Sequence, residues 1–191
     1  MFKSYNFFPT NVWEGIFPEY LQPLEKPCED IMSNITETGV NKSYQSEELQ
    51  NNDKFSFFKK DIAKYSTDFL ISTGSKFNNL KFTSLWLQEF SSKGGGHHTP
   101  HVHSNTHVSG FYFLKCNKET SKPVFYDPRP GAEMNKLPQE IENINLSSIP
   151  DITFHTIPGS MIIFPSFLFH GHLPDLGISP YRFIHLHMKA E

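Results

Sequence analysis

Arginine is almost missing from this chain. Of 17 basic residues only Arg129 and Arg182 are arginines, so only two positions offer a guanidinium for two-pronged recognition of an acid. Cysteine is as sparse: Cys28 and Cys116 stand far apart, with neither metal-ligand spacing nor a disulfide framework, which points to a reducing intracellular compartment. No stretch approaches the roughly 18 consecutive apolar residues of a membrane span, and Met1-Phe2-Lys3-Ser4-Tyr5 has no apolar signal core behind it. A soluble, cytoplasmic protein is therefore expected. The formal charge of -3 gives no overall basic footprint for nucleic acid. The chain shows no internal repeat, and after Gly74 no helical period.

What is present is aromatic. Nineteen phenylalanines in 191 residues suggest a core filled by rings within one domain, which suits sheets better than a helix bundle. Asn6 to Gly15 reads as a short apolar strand and loop, and prolines at 18, 23 and 27 oppose long regular structure, so the start is taken as a packing arm. From Ser46 to Thr73, Phe55, Phe58, Ile62, Tyr65 and Phe69 recur at helical spacing, with Gly74 placed to close the helix. Strands are expected at Leu80 to Phe90, Val108 to Leu114, Val124 to Tyr126, Ile152 to Ile157, Ser160 to Phe164 and Tyr181 to Met188. Asp127 to Gly131 reads as a turn, and 132–150 as an irregular insertion of the kind that covers an entrance. Short strands at such intervals imply a barrel or two-sheet sandwich. Residues 1–79 form an arm and supporting helix, and 80–191 the β core of the same domain.

Ten histidines are many for this length, and those at 97, 98, 101, 103 and 107 are crowded together. His97 and His98, beside Gly94-Gly95-Gly96, read as a solvated loop. His101 and His103 differ, because residues two apart on an extended chain point the same way and so can converge on one ion. The third candidate is His170, delivered by Pro158-Gly159 and the apolar run through Phe164-Pro165-Ser166. His107 and His172 are rivals for these places, and His172 also suits a rim contact with substrate. In Tyr181 to Met188, Arg182, Ile184, Leu186 and Met188 share one face, and Phe183, His185 and His187 the other. Arg182 must meet an anion there, either Asp175 or Asp127 within the fold or a small-molecule carboxylate. His185 and His187 form a second alternating pair, a rival metal site without an evident third ligand.

Taken together, His101-x-His103, Ser109-Gly110-Phe111-Tyr112-Phe113-Leu114, Asp127-Pro128-Arg129, Pro158-Gly159, Ile163 to Ser166 leading into His170, and Arg182 resemble the 2-oxoglutarate and Fe(II)-dependent oxygenases. They resemble in particular a subgroup found in phages and marine bacteria, for which the compartment would be the host cytoplasm. The likeness covers about residues 82 to 188, and Phe8-Pro9-Thr10 with Trp13 is similar to that subgroup's opening.

The resemblance implies a mainly β, cupin-like double-stranded β-helix, or jelly roll, with a packed N-terminal helical region. It implies Fe(II) held by His101, His103 and His170, and 2-oxoglutarate as cosubstrate with its distal carboxylate on Arg182. Most of that superfamily carries an acid where His103 stands, so either three histidines suffice or a carboxylate such as Asp127 completes the set. The implied reaction hydroxylates a substrate with O2, releasing succinate and CO2. Two alternatives remain: a three-histidine metalloenzyme that does not use 2-oxoglutarate, and a metal-stabilised binding module. Protein, nucleotide and small-metabolite substrates all stay open, and exposed strand edges in such folds often pair into homodimers.

Overall fold

Alternation along one strand organises the molecule. In β10 (Arg182–Ala190) every residue from Arg182 to Met188 is buried, because both faces of the strand are covered. Ile184, Leu186 and Met188 enter one apolar cluster, while Phe183 enters another. A computed structural model describes residues 2–134, 137–138 and 149–191.

β10 lies between β3 (Leu80–Phe90) and β5 (Val108–Lys115), in a six-stranded antiparallel sheet completed by β8 (Ser160–Pro165), β1 (Trp13–Ile16) and β2 (Ser43–Gln45). The strand order is β1-β8-β5-β10-β3-β2. A second sheet, in the order β4-β9-β6-β7, consists of β4 (His98–His101), β9 (His170–His172), β6 (Pro123–Tyr126) and β7 (Asp151–Thr153). From β3 onward the chain passes back and forth between the two sheets, which is the winding of a jelly roll. Phe90, Phe111, Phe113, Phe164 and Phe183 of the large sheet meet Phe125 and Leu168 in the cluster between the sheets.

The outer face of the large sheet is closed by two helices, α1 (Leu21–Met32) and α2 (Ser56–Ser72). The expected arm is thus largely helical. Pro23 falls in the first turn of α1, where no amide donor is needed, but Pro27 is internal and costs one hydrogen bond. Burial of Leu24, Cys28 and Met32, one turn apart, outweighs it. The helix expected from Ser46 begins only at Ser56, since the amides of Ser46 and Leu49 instead donate to the carbonyls of Leu87 and Leu85 in β3. Phe55, Phe58, Ile62 and Phe69 are buried as their spacing requires, and Gly74 follows the helix at φ 77°.

Part of the expected turn at Asp127 to Gly131 is a short helix, α3 (Pro130–Met134), and the insertion read over 132–150 lies mostly outside the described residues. No helix among the described residues is long and apolar enough to cross a membrane. Cys28 and Cys116 are both buried free thiols.

Candidate metal centre

Three of the expected ligands are brought together. β4 pairs with β9 so that His101 stands opposite His170, and the chain leaving β4 folds His103 back against both. His103 lies beyond the strand's end, so its convergence comes from the loop and not from strand alternation. One ligand nitrogen from each of His101, His103 and His170 lies within 4.8 Å of the others. Nε2 of His103 is 3.2 Å from Nε2 of His170. Two nitrogens bound about 2.1 Å from one ion at roughly 100° stand about that far apart.

The unbonded edges of these rings are set by the backbone. His101 Nδ1 is 2.7 Å from the carbonyl of Thr99, and His170 Nδ1 is 2.7 Å from that of Leu168. A carbonyl only accepts, so in both rings Nδ1 carries the hydrogen and Nε2 keeps the lone pair a metal needs. His170 is fully buried, with Phe111, Phe125 and Phe164 around it. Desolvation pushes its pKa down to about 3, and desolvation with neighbouring His187 does the same to His103. Both imidazoles are therefore neutral and able to ligate well below pH 7. His101 and His103 are half-buried, which puts the opening of the site on their side.

The rivals go elsewhere. His107 Nδ1 accepts the amide of Ala190 at 2.9 Å, at the far end of β10. Asp127 is gripped by Arg129 through contacts of 2.9 and 2.8 Å, and the metal-capable groups found among the described residues contain only histidine. His172 does not sit at a rim; it is buried, stacked on Phe183 at 4.7 Å and edge-on to His98 at 5.1 Å. His98, read from its glycine neighbours as solvated, turns inward against Phe90, and burial lowers its pKa to about 4.

Arg182 is not brought to the triad. It points to the helix side of the sheet, away from the triad, where Nε donates to Glu89 at 2.6 Å and Nη1 to Glu29 of α1 at 2.8 Å. Asp175, once its candidate partner, is taken by the amides of Ser121 and Gly177 at 2.6 and 2.7 Å. This placement does not support Arg182 as an anchor for an acid beside the metal. The face of β10 that does look into the site carries His185 and His187, whose importance sequence spacing had signalled without showing which way they faced. His187 Nδ1 lies 2.8 Å from Ser109 Oγ, itself 2.8 Å from Ser166 Oγ.

Residues 84–179 match the family described as "Putative 2OG-Fe(II) oxygenase". No curated protein matches the sequence. Solved structures share the fold at low identity. AviO1 from Streptomyces viridochromogenes Tue57 is 13% identical with a TM-score of 0.68, over 95% of this chain and 90% of that one. A prolyl-4-hydroxylase of Pseudomonas putida is 8% identical with a TM-score of 0.64, over 95% and 94%. The epimerase SnoN from nogalamycin biosynthesis, in complex with Fe3+, alpha ketoglutarate and nogalamycin RO, is 10% identical with a TM-score of 0.66, over 95% and 79%.

Proposed function

The chain belongs to the 2OG-Fe(II) oxygenase family, and from that premise we propose that it hydroxylates an organic substrate at an iron held by His101, His103 and His170. The observation that carries this reading is the pair of Nε2 atoms 3.2 Å apart on His103 and His170, in rings that burial keeps neutral. When bound, Fe(II) and 2-oxoglutarate supply the oxidising chemistry, in which one atom of O2 goes to the substrate and one to succinate as CO2 leaves.

The chain's own residues do the positioning. The carbonyls of Thr99 and Leu168 fix the tautomers of His101 and His170, so the ligand edges need no reorganisation on binding. Phe111, Phe125 and Phe164 keep water from the His170 side. Three neutral ligands leave the charge of a divalent ion uncompensated, which favours an anionic chelator such as a 2-oxo acid at the remaining positions. Arg182 takes no part in this reading. The solved neighbours include a hydroxylase and an epimerase, and hydroxylation is the simpler outcome for this chain.

Anaerobic addition of 2-oxoglutarate to the Fe(II)-loaded protein should produce the weak visible band of a chelated 2-oxo acid, and His170→Ala should abolish it. Iron demonstrably bound with no such band would sink the proposal. Metal-dependent turnover unchanged without 2-oxoglutarate would instead favour a three-histidine enzyme that binds substrate directly.

A further inference from the structure

On β10, His185 and His187 sit two residues apart on the face that looks between the sheets, and His103 lies against them. The ring centroids of His103 and His187 are 3.8 Å apart, those of His185 and His187 4.5 Å, and those of His103 and His185 5.4 Å. One ligand nitrogen from each lies within 4.8 Å of the other two. From this arrangement we propose that His103, His185 and His187 form a second seat for a divalent transition-metal ion, sharing His103 with the first and filled in competition with it.

The strongest support is what these rings lack. His185 is 1% exposed and His187 5%, yet both nitrogens of His185 and Nε2 of His187 have no hydrogen-bond partner. Buried polar atoms are nearly always satisfied, and His185 and His187, each with an unpartnered nitrogen, offer ligand atoms close enough to each other and to His103 to share one ion. Packing alone does not explain them. Trp86 lies 4.2 Å from His185 and 5.2 Å from His187 by ring centroids, and phenylalanine would fill that space against it without stranding nitrogen.

The ligand's class follows from its surroundings. The three groups are imidazoles, the metal-capable groups among the described residues include no carboxylate, and the one buried lysine or arginine among them, Arg182, faces away. Neutral nitrogen donors select borderline ions such as Fe(II), Co(II), Ni(II), Cu(II) or Zn(II) over magnesium or calcium. The seat also has the supporting contact expected of one: Ser109 and Ser166 tie down Nδ1 of His187 and leave Nε2 as its free edge. The central position of β10 between β3 and β5 holds His185 and His187 at fixed spacing. A neutral imidazole has one lone pair, so His103 serves one ion at a time. An ion in the deeper seat therefore takes a ligand from the outer one.

Co(II) alone, without 2-oxoglutarate, tests this independently of the oxygenase reading. In equilibrium dialysis with metal analysis, the His101→Ala/His170→Ala chain should retain one Co(II) with ligand-field bands in the visible. Adding His185→Ala and His187→Ala should release it. A folded double variant that binds no Co(II), or retention indifferent to the second pair of substitutions, overturns the proposal. Should the double variant fail to fold by circular dichroism, His185→Cys in a His101→Ala background decides. A thiolate-to-cobalt charge-transfer band supports the seat, and its absence from the cobalt-treated protein refutes it.

Discussion

A guanidinium on a strand otherwise lined with isoleucine, leucine and methionine has to find an anion, because leaving it unpaired in such surroundings is too costly. The sequence made that requirement plain for Arg182, and it also showed which residues share its face. It did not show which face looks at the metal, since the partner that decides the matter, Glu29, is 153 positions away. Glu29 also accepts Lys115 at 2.6 Å, and the two cations hold its carboxyl below the usual range. Arg182 is thus a fastener between α1 and the large sheet. Arg182→Ala should cost roughly 1–3 kcal/mol, reduced by the exposure of Glu29, while leaving 2-oxoglutarate affinity in the Fe(II)-loaded protein within about twofold. Thermal melts and an anaerobic titration of the chelate band separate the two roles. An intact melting temperature with lost cosubstrate binding would restore Arg182 to the site. His101 and His170 were legible for the opposite reason: each was marked by its local sequence, and their convergence needs only that the short strands containing them, β4 and β9, pair.

At the scale of elements the longer strands were read well, but the short β2, β4 and β9 were not foreseen, nor was α1. β3 occupies the expected span because its alternation is uninterrupted, whereas α1 was hidden by prolines whose cost is offset by tertiary burial of Leu24, Cys28 and Met32. The pairing that builds the centre, β4 against β9, depends on a residue the sequence did not mark. A Cβ on Gly171 would lie 2.6 Å from the carbonyl oxygen of His98 and 3.2 Å from the nitrogen of Pro100, both backbone atoms that cannot swing aside. Glycine there lets β4 approach closely enough for His101 to stand opposite His170. Gly171→Ala should therefore push the two strands apart and weaken divalent-metal binding about 10-fold or more, with a smaller loss of stability than a core truncation. Metal affinity by competition with a chromophoric chelator checks this. By contrast, Phe58→Ala, in the fully buried contact of α2 with Tyr112 at 5.2 Å, should cost about 3–5 kcal/mol and leave metal stoichiometry unchanged.

For the molecule as a whole, the jelly-roll class was accessible from strand spacing together with the family's motifs, but the content of its interior was not. Alternation places His185 and His187 on one face without saying that the second sheet covers it, and His98 read as a solvated loop residue and His172 as a rim contact. The space between the sheets is therefore rich in buried histidine, which couples stability to pH. In the metal-free protein burial lowers the pKa of His170 and His187 to about 3, and leaves His172 and His185 well below their ordinary value. An unfolded histidine titrates near 6.5, so below that pH the unfolded chain takes up protons that the folded chain refuses. The stabilisation is complete above about pH 6.5 and is lost as pH falls toward 3. His170 and His187 should each cost about 1.5 kcal/mol between pH 6.5 and 5, about 3 kcal/mol together, against a total stability of about 5–15 kcal/mol for an ordinary domain, and His172 and His185 act in the same direction. The metal-free protein should accordingly lose a substantial part of its resistance to denaturant across that interval, and saturating divalent metal should move the loss to lower pH, because the ion binds only the neutral rings of the folded state. Urea unfolding followed by circular dichroism at half-unit steps measures both effects, and a midpoint that stays flat from pH 7 to 5 would mean that the histidines between the sheets are not held neutral by burial.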